Sequence, residues 1–138
     1  MKLNTKDLQI GQSVTGVSKK ISLERMRGFS GWPSKNIHTD EEFAKASGLP
    51  GPVASGTMYE AYLVDRMLEW FGDEWITYGK LELVFIKMVL AEDVLTPKAK
   101  IISNQEGNTF REIQLEIWYE NQKGEQVAKG KAFGRIKN

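Results

Sequence analysis

The spacing of apolar residues changes period midway along the chain, and the change separates a helix from strands. Over residues 57–71 the repeat is helical: Val64, Met67, Leu68 and Phe71 fall on one side of a helical wheel, and Asp65, Arg66 and Glu69 on the other. Met58, Tyr59, Ala61, Tyr62 and Leu63 fill much of the remaining circumference, which predicts a helix covered on most sides. After Gly72-Asp73 the period becomes two. Leu81, Leu83 and Phe85 alternate with Lys80, Glu82 and Val84. Strands over 94–103 and 110–120 follow, the latter with Ile113, Leu115, Ile117 and Tyr119 on one face, and Asn121-Gln122-Lys123-Gly124 turns the chain into a last strand over 126–136. The pattern predicts an α+β fold in which long antiparallel strands wrap around one buried helix.

The first half is less regular. A polar lead-in over 1–12 precedes an irregular strand over 13–21. Ser22 stands where an N-cap belongs, before a short helix over 23–29 that ends at Ser30-Gly31. Residues 31–38 have no period and read as a loop. Thr39 and Glu42 form a capping box for a second short helix, Asp40 and Glu41 suit its positive end, and Gly48, backed by Pro50 and Pro52, stops it.

Composition narrows the chemistry. A chain of 138 residues is long enough to bury a core and predicts one domain over 1–138. Nineteen basic and 18 acidic residues are interspersed, for a net charge of +1, and no basic stripe marks a nucleic-acid surface. The absence of cysteine excludes disulfides, thiolate zinc sites and a cysteine nucleophile, and a lone histidine excludes a multi-histidine metal site within one chain. No metal or cofactor is expected. The start lacks the apolar core of about 7–15 residues that a secretory signal carries, and no run approaches the roughly 20 apolar residues of a membrane helix. The expectation is a cytoplasmic protein with no membrane partner.

Three stretches resemble the MaoC-like hot-dog hydratases. Asn36-Ile37-His38-Thr39-Asp40-Glu41-Glu42-Phe43-Ala44, followed by residues 48–56 (GLPGPVASG), is similar to the family run N-P-I-H-x-D-x-x-A and G-x-x-G-P-I-A-(H/Q)-G. Residues 85–95 (FIKMVLAEDVL) are similar to F-x-x-P-V-x-x-G-D-x-L, and residues 121–132 (NQKGEQVAKGKA) to the closing hairpin N-Q-x-G-x-x-V-x-x-G-x-A. They occur in the family's order over nearly the whole chain. The resemblance implies a hot-dog fold, a homodimer or dimer-based oligomer with sites at the subunit boundary, and an acyl thioester of coenzyme A or acyl carrier protein as substrate. The reaction implied is reversible addition of water across a 2-enoyl double bond.

Such hydration needs an acid/base and donors at the thioester oxygen. By the resemblance, His38 is the acid/base; on its own chemistry it is either that or a histidine bonding loop backbone. Gly56 opens the long helix and is the candidate oxyanion donor, with Ser55 beside it as cap and substrate contact. Asn36 either holds substrate or water, or braces the loop. The family's Asp, five positions before its His, has no equivalent: counting back gives Pro33, and aligning on Ser30-Gly31 gives Trp32. Glu60 is the candidate replacement. The wheel places it among Val64, Met67 and Phe71, and its position after Gly56 resembles the helix glutamate of the β-hydroxyacyl carrier-protein dehydratases, one residue short in offset. Alternatively it reaches solvent or a backbone amide. Three functions follow: an enoyl thioester hydratase/dehydratase, a non-catalytic hot-dog subunit that binds acyl-CoA, or an acyl-CoA thioesterase.

Overall fold

The computed structural model describes residues 8–138; the first seven residues of the polar lead-in lie outside the described residues. Short strands β1 (Ser13–Thr15) and β2 (Lys19–Lys20) stand where one irregular strand was expected, and helices α1 (Leu23–Phe29) and α2 (Glu41–Ala46) follow. Next come the long helix α3 (Gly56–Phe71), a five-residue helix α4 (Glu74–Tyr78), and strands β3 (Lys80–Phe85), β4 (Val94–Glu106), β5 (Phe110–Glu120) and β6 (Gln126–Lys137). The strands form a six-stranded antiparallel sheet in the order β1-β4-β5-β6-β3, with β2 paired to β4 beside that path.

Strict alternation fixes which face of β5 is inward. Ile113, Leu115, Ile117 and Tyr119 are all buried, and they meet α3 with Leu95, Ala99 and Ile101 of β4 and Val127, Ala128 and Ala132 of β6. Each large apolar side chain so buried stabilises the fold by roughly 1.5–3 kcal/mol. At Gly134 of β6 an added Cβ would stand 2.7 Å from the Phe71 ring, so only glycine lets the end of α3 lie on the sheet. The helix wrapped by long strands is the arrangement the pattern predicts.

The inner face of α3 is rotated from the one expected. Its continuous stripe is Tyr59, Leu63, Met67 and Trp70, with Phe71 beside it, while Val64 and Leu68 are only half-buried. The helix is apolar nearly all round, so its wheel does not single out one stripe; the strand side chains decide. Helix α4 was not anticipated. Its sequence Glu-Trp-Ile-Thr-Tyr has no helical repeat, and tertiary contacts hold it. Trp75 stacks on Phe71 with ring centroids 5.6 Å apart, and Glu74 accepts from Arg135 Nε at 2.6 Å.

Helix α1 has the expected cap: the Ser22 hydroxyl accepts from the Arg25 amide at 3.2 Å. The capping box expected at α2 is displaced by one residue. Asp40 is the N-cap, accepting from the Phe43 amide at 2.9 Å, because the Thr39 hydroxyl is already engaged. Thr39 is fully buried, donates to the Ser34 carbonyl at 2.8 Å and accepts from the Asn36 amide at 3.0 Å. It ties together the loop that carries His38.

Candidate functional site

The loop over 30–40 is braced from within. The Asn36 side chain donates to the Ser30 carbonyl at 3.0 Å and accepts from the His38 amide at 2.9 Å. Both ends of that amide therefore serve the loop, and the Asn36 oxygen keeps one lone pair. Arg27 donates from Nε to the Thr39 carbonyl at 3.0 Å and lays its guanidinium 3.9 Å from the centre of the Trp32 ring. Trp32 itself is exposed.

His38 is half-buried, and its Nδ1 lies 2.7 Å from the Val53 carbonyl. A carbonyl only accepts, so Nδ1 carries the proton and Nε2 is the basic nitrogen of the neutral ring. Residues 52–54 are themselves fixed. Val53 N donates to the Ile37 carbonyl at 3.0 Å, Ala54 N to that of Val89 at 2.8 Å, and Ala91 N to that of Pro52 at 3.1 Å. The histidine is thus held against a segment stitched to the rest of the protein on both sides.

Two residues after Val53 that segment becomes the N-cap of α3. Ser55 makes no side-chain capping bond; its hydroxyl instead pairs with Thr57 Oγ1 at 2.7 Å. The first amides of the helix are left for an acceptor other than the Ser55 hydroxyl, and the helix dipole favours a negative one. Ser55, Gly56, Thr57 and Tyr59 line an open groove of about 510 Å³, closed on the other side by residues 85–89. A Cβ at Gly56 would sit 2.8 Å from Phe85 Cζ. The Phe85 ring already fills the space a side chain there would need.

Asn36 is bonded to His38, and His38 to Val53, two residues before Ser55; Ser55 and Gly56 line the groove, while Asn36 and His38 are not among its lining residues. Glu60 sits half-buried on α3, beside the buried stripe and not at its centre, and it is not among the residues lining the groove. Among the described residues no carboxylate bonds the His38 ring and no group of His, Asp and Glu side chains could hold a metal ion. Sequence reasoning missed the Val53 carbonyl, a backbone atom that leaves no compositional trace, and Thr57, whose pairing with Ser55 is visible only once the helix start is built. Tyr59 is buried, and burial pushes its phenol, like that of Tyr119, above the usual range, so both stay protonated at neutral pH. Tyr119 donates to the Tyr59 carbonyl at 2.9 Å. At the groove's mouth Lys87 pairs with Glu125, and the Lys87 bond holds that carboxyl below its ordinary value. An imidazole with a basic nitrogen can move a proton, and uncapped helix amides can hold developing negative charge.

Solved structures share this architecture. The R-hydratase PhaJ1 from Pseudomonas aeruginosa superposes with a TM-score of 0.77 at 18% identity, over 97% of this chain and 88% of its own. A MaoC-like dehydratase from Rhodospirillum rubrum gives 0.76 at 20% identity, over 96% and 95%. A C-terminally truncated 3R-hydroxyacyl-ACP dehydratase complex, HadBC, from Mycobacterium tuberculosis gives 0.68 at 21%, over 91% and 96%. At such identities the likeness is one of fold, the hot-dog fold. No curated protein matches the chain in sequence. The model of the MaoC like domain matches residues 7–124, most of the length, and on that match the chain belongs to the MaoC-like domain family.

Proposed function

We propose that this protein adds and removes water across the double bond of a 2-enoyl thioester, carried on coenzyme A or acyl carrier protein, with His38 as the acid/base. The observation that carries the reading is the His38 Nδ1 to Val53 carbonyl bond, which leaves Nε2 basic and ties the ring to the segment that, two residues after Val53, becomes the N-cap of α3. Nε2 takes a proton from water as the oxygen attacks C3. The electron pair shifts through C2 to the thioester oxygen, where the Gly56 and Thr57 amides stabilise it. C2 then takes a proton, either back from the imidazolium or from a second acid, and dehydration runs the same steps in reverse. Glu60 is our candidate for that second acid, from the same chain or from a second copy. Ser55 and Asn36 keep the amides and the imidazole in place around the substrate.

A homodimer completes the site. β3 is an edge strand, and Val84, Phe85, Ile86 and Met88 expose 62, 47, 45 and 56% of their surface along it and just beyond. An apolar edge of this kind calls for a partner strand. A second reading, an acyl-thioester-binding subunit without catalysis, draws on one observation: among the described residues no carboxylate bonds the His38 ring. Incubation of enoyl-CoA thioesters of graded length with the wild type and His38→Ala separates the readings. The hydratase reading expects enoyl absorbance to fall without thiol release, and His38→Ala to slow it by roughly 10²–10⁴. Equal rates in the two proteins would remove His38 from the chemistry, and silence at every length would leave the binding subunit.

A further inference from the structure

Tyr59 borders two spaces. On one side it lines the open groove beside Ser55 and Gly56, where its ring meets Phe85 edge-on with centroids 5.5 Å apart. It also lines a smaller cavity of about 80 Å³, with Ile21, Tyr62, Leu95, Pro97 and Tyr119 among its walls, and there it meets the Tyr119 ring edge-on at 5.8 Å. The ring is held in position: Tyr59 is only 3% exposed, and its own carbonyl accepts the Tyr119 hydroxyl at 2.9 Å.

Resting on the acyl-thioester reading, the consequence is geometric. A thioester oxygen at the Gly56 and Thr57 amides puts the acyl tail at the start of α3. Tyr59 follows Gly56 by three residues and so lies on the same helix face, about 5–6 Å along. A tail running along that face meets the aromatic ring after a few carbons. We propose that Tyr59 is the wall that sets acyl-chain length: it limits the site to short tails and keeps the small cavity beyond the ring out of their reach. Removing the ring joins that cavity to the groove and makes room for longer tails. Lys19, Asp65 and Arg66 also border the cavity, so part of its lining is charged, and an apolar tail gains nothing by extending onto it.

The test uses butyryl- and octanoyl-pantetheine, saturated thioesters that a hydratase does not consume and whose pantetheine arm is common to both carriers. Binding is measured by calorimetry on the wild type, Tyr59→Leu and Tyr59→Phe. The expected result is at least a tenfold preference for butyryl over octanoyl in the wild type and Tyr59→Phe, reversed in Tyr59→Leu. Tyr59→Leu keeps an apolar side chain in the core, and a thermal melt on the same sample establishes that it is folded. Equal binding of the two lengths by the wild type, or an unchanged preference in folded Tyr59→Leu, overturns the wall while leaving the acyl-thioester reading intact. Binding of neither ligand by the wild type overturns that reading itself, and the wall with it.

Discussion

Replacing Thr39 with valine tests how the loop of His38 is held. The side chain is 0% exposed, and the change keeps its shape while deleting one hydroxyl. That hydroxyl serves two bonds, to the Ser34 carbonyl at 2.8 Å and from the Asn36 amide at 3.0 Å. Each such bond is worth about 0.5–1.5 kcal/mol net. Ser34 is exposed, so its carbonyl can turn to water; Asn36 is half-buried, and its amide loses more. The sum is a loss of about 1–3 kcal/mol. For a chain of this size each kcal/mol lowers the Tm by roughly 3–5 °C, so Thr39→Val should melt about 6–10 °C lower for a loss near 2 kcal/mol. Thr39→Ser keeps both bonds and removes one methyl, worth about 1 kcal/mol. Circular dichroism melts at one fixed protein concentration, with urea titrations beside them, read both variants. In the valine variant the bond from the His38 amide to the Asn36 side-chain oxygen should also loosen, so His38 resonances should shift there and not in the serine variant. A Thr39→Val protein as stable as the wild type would refute the reasoning that the buried hydroxyl organises the loop.

Three further outcomes are expected. Glu60→Gln should keep the fold and, if Glu60 supplies the second proton, reduce hydration by roughly 10²-fold or more; an undiminished rate assigns both protons to His38. Val84→Lys, on the exposed edge strand, should convert a dimer of 15.6 kDa chains to monomer in sedimentation, and a wild type that is already monomeric at micromolar concentration would discard the edge pairing. Glu120 accepts from the Trp118 indole and from Lys98, and these bonds, the indole first, hold its pKa below the usual carboxylate value. The linked stability is present above the unfolded-state pKa and is lost as pH falls through the lower folded one. Trp118→Phe should move the Glu120 titration back up toward the ordinary value in a carboxyl NMR titration, and an unmoved titration would reject the indole as the cause.

The parts of this fold that the sequence made legible are those where one local rule decides. Period two alone places Ile113, Leu115, Ile117 and Tyr119 inward on β5, and Ser22 starts α1 with its own side chain. Where two local rules compete, tertiary contacts choose. Thr39 and Asp40 both qualify as N-caps, and the loop's need for a buried hydroxyl gives the cap to Asp40. Phe85 follows the inward alternation of Leu81 and Leu83 yet is 47% exposed, because β3 is an edge and its end leaves the core to lie over Gly56. The candidate site divides the same way. His38, Ser55 and Gly56 are candidates by residue type and motif, whereas the Val53 carbonyl and the two-sided position of Tyr59 depend on segments distant in sequence meeting in space.

The central claim, proton movement by His38 across a 2-enoyl thioester, is tested most directly by the product formed in deuterated water. Crotonyl-CoA incubated with the wild type should give a 3-hydroxybutyryl thioester carrying one newly introduced deuterium at C2, seen by NMR, with no free thiol and with almost no product in His38→Ala. Recovery of unchanged crotonyl-CoA, or of free crotonate and thiol, would contradict the account.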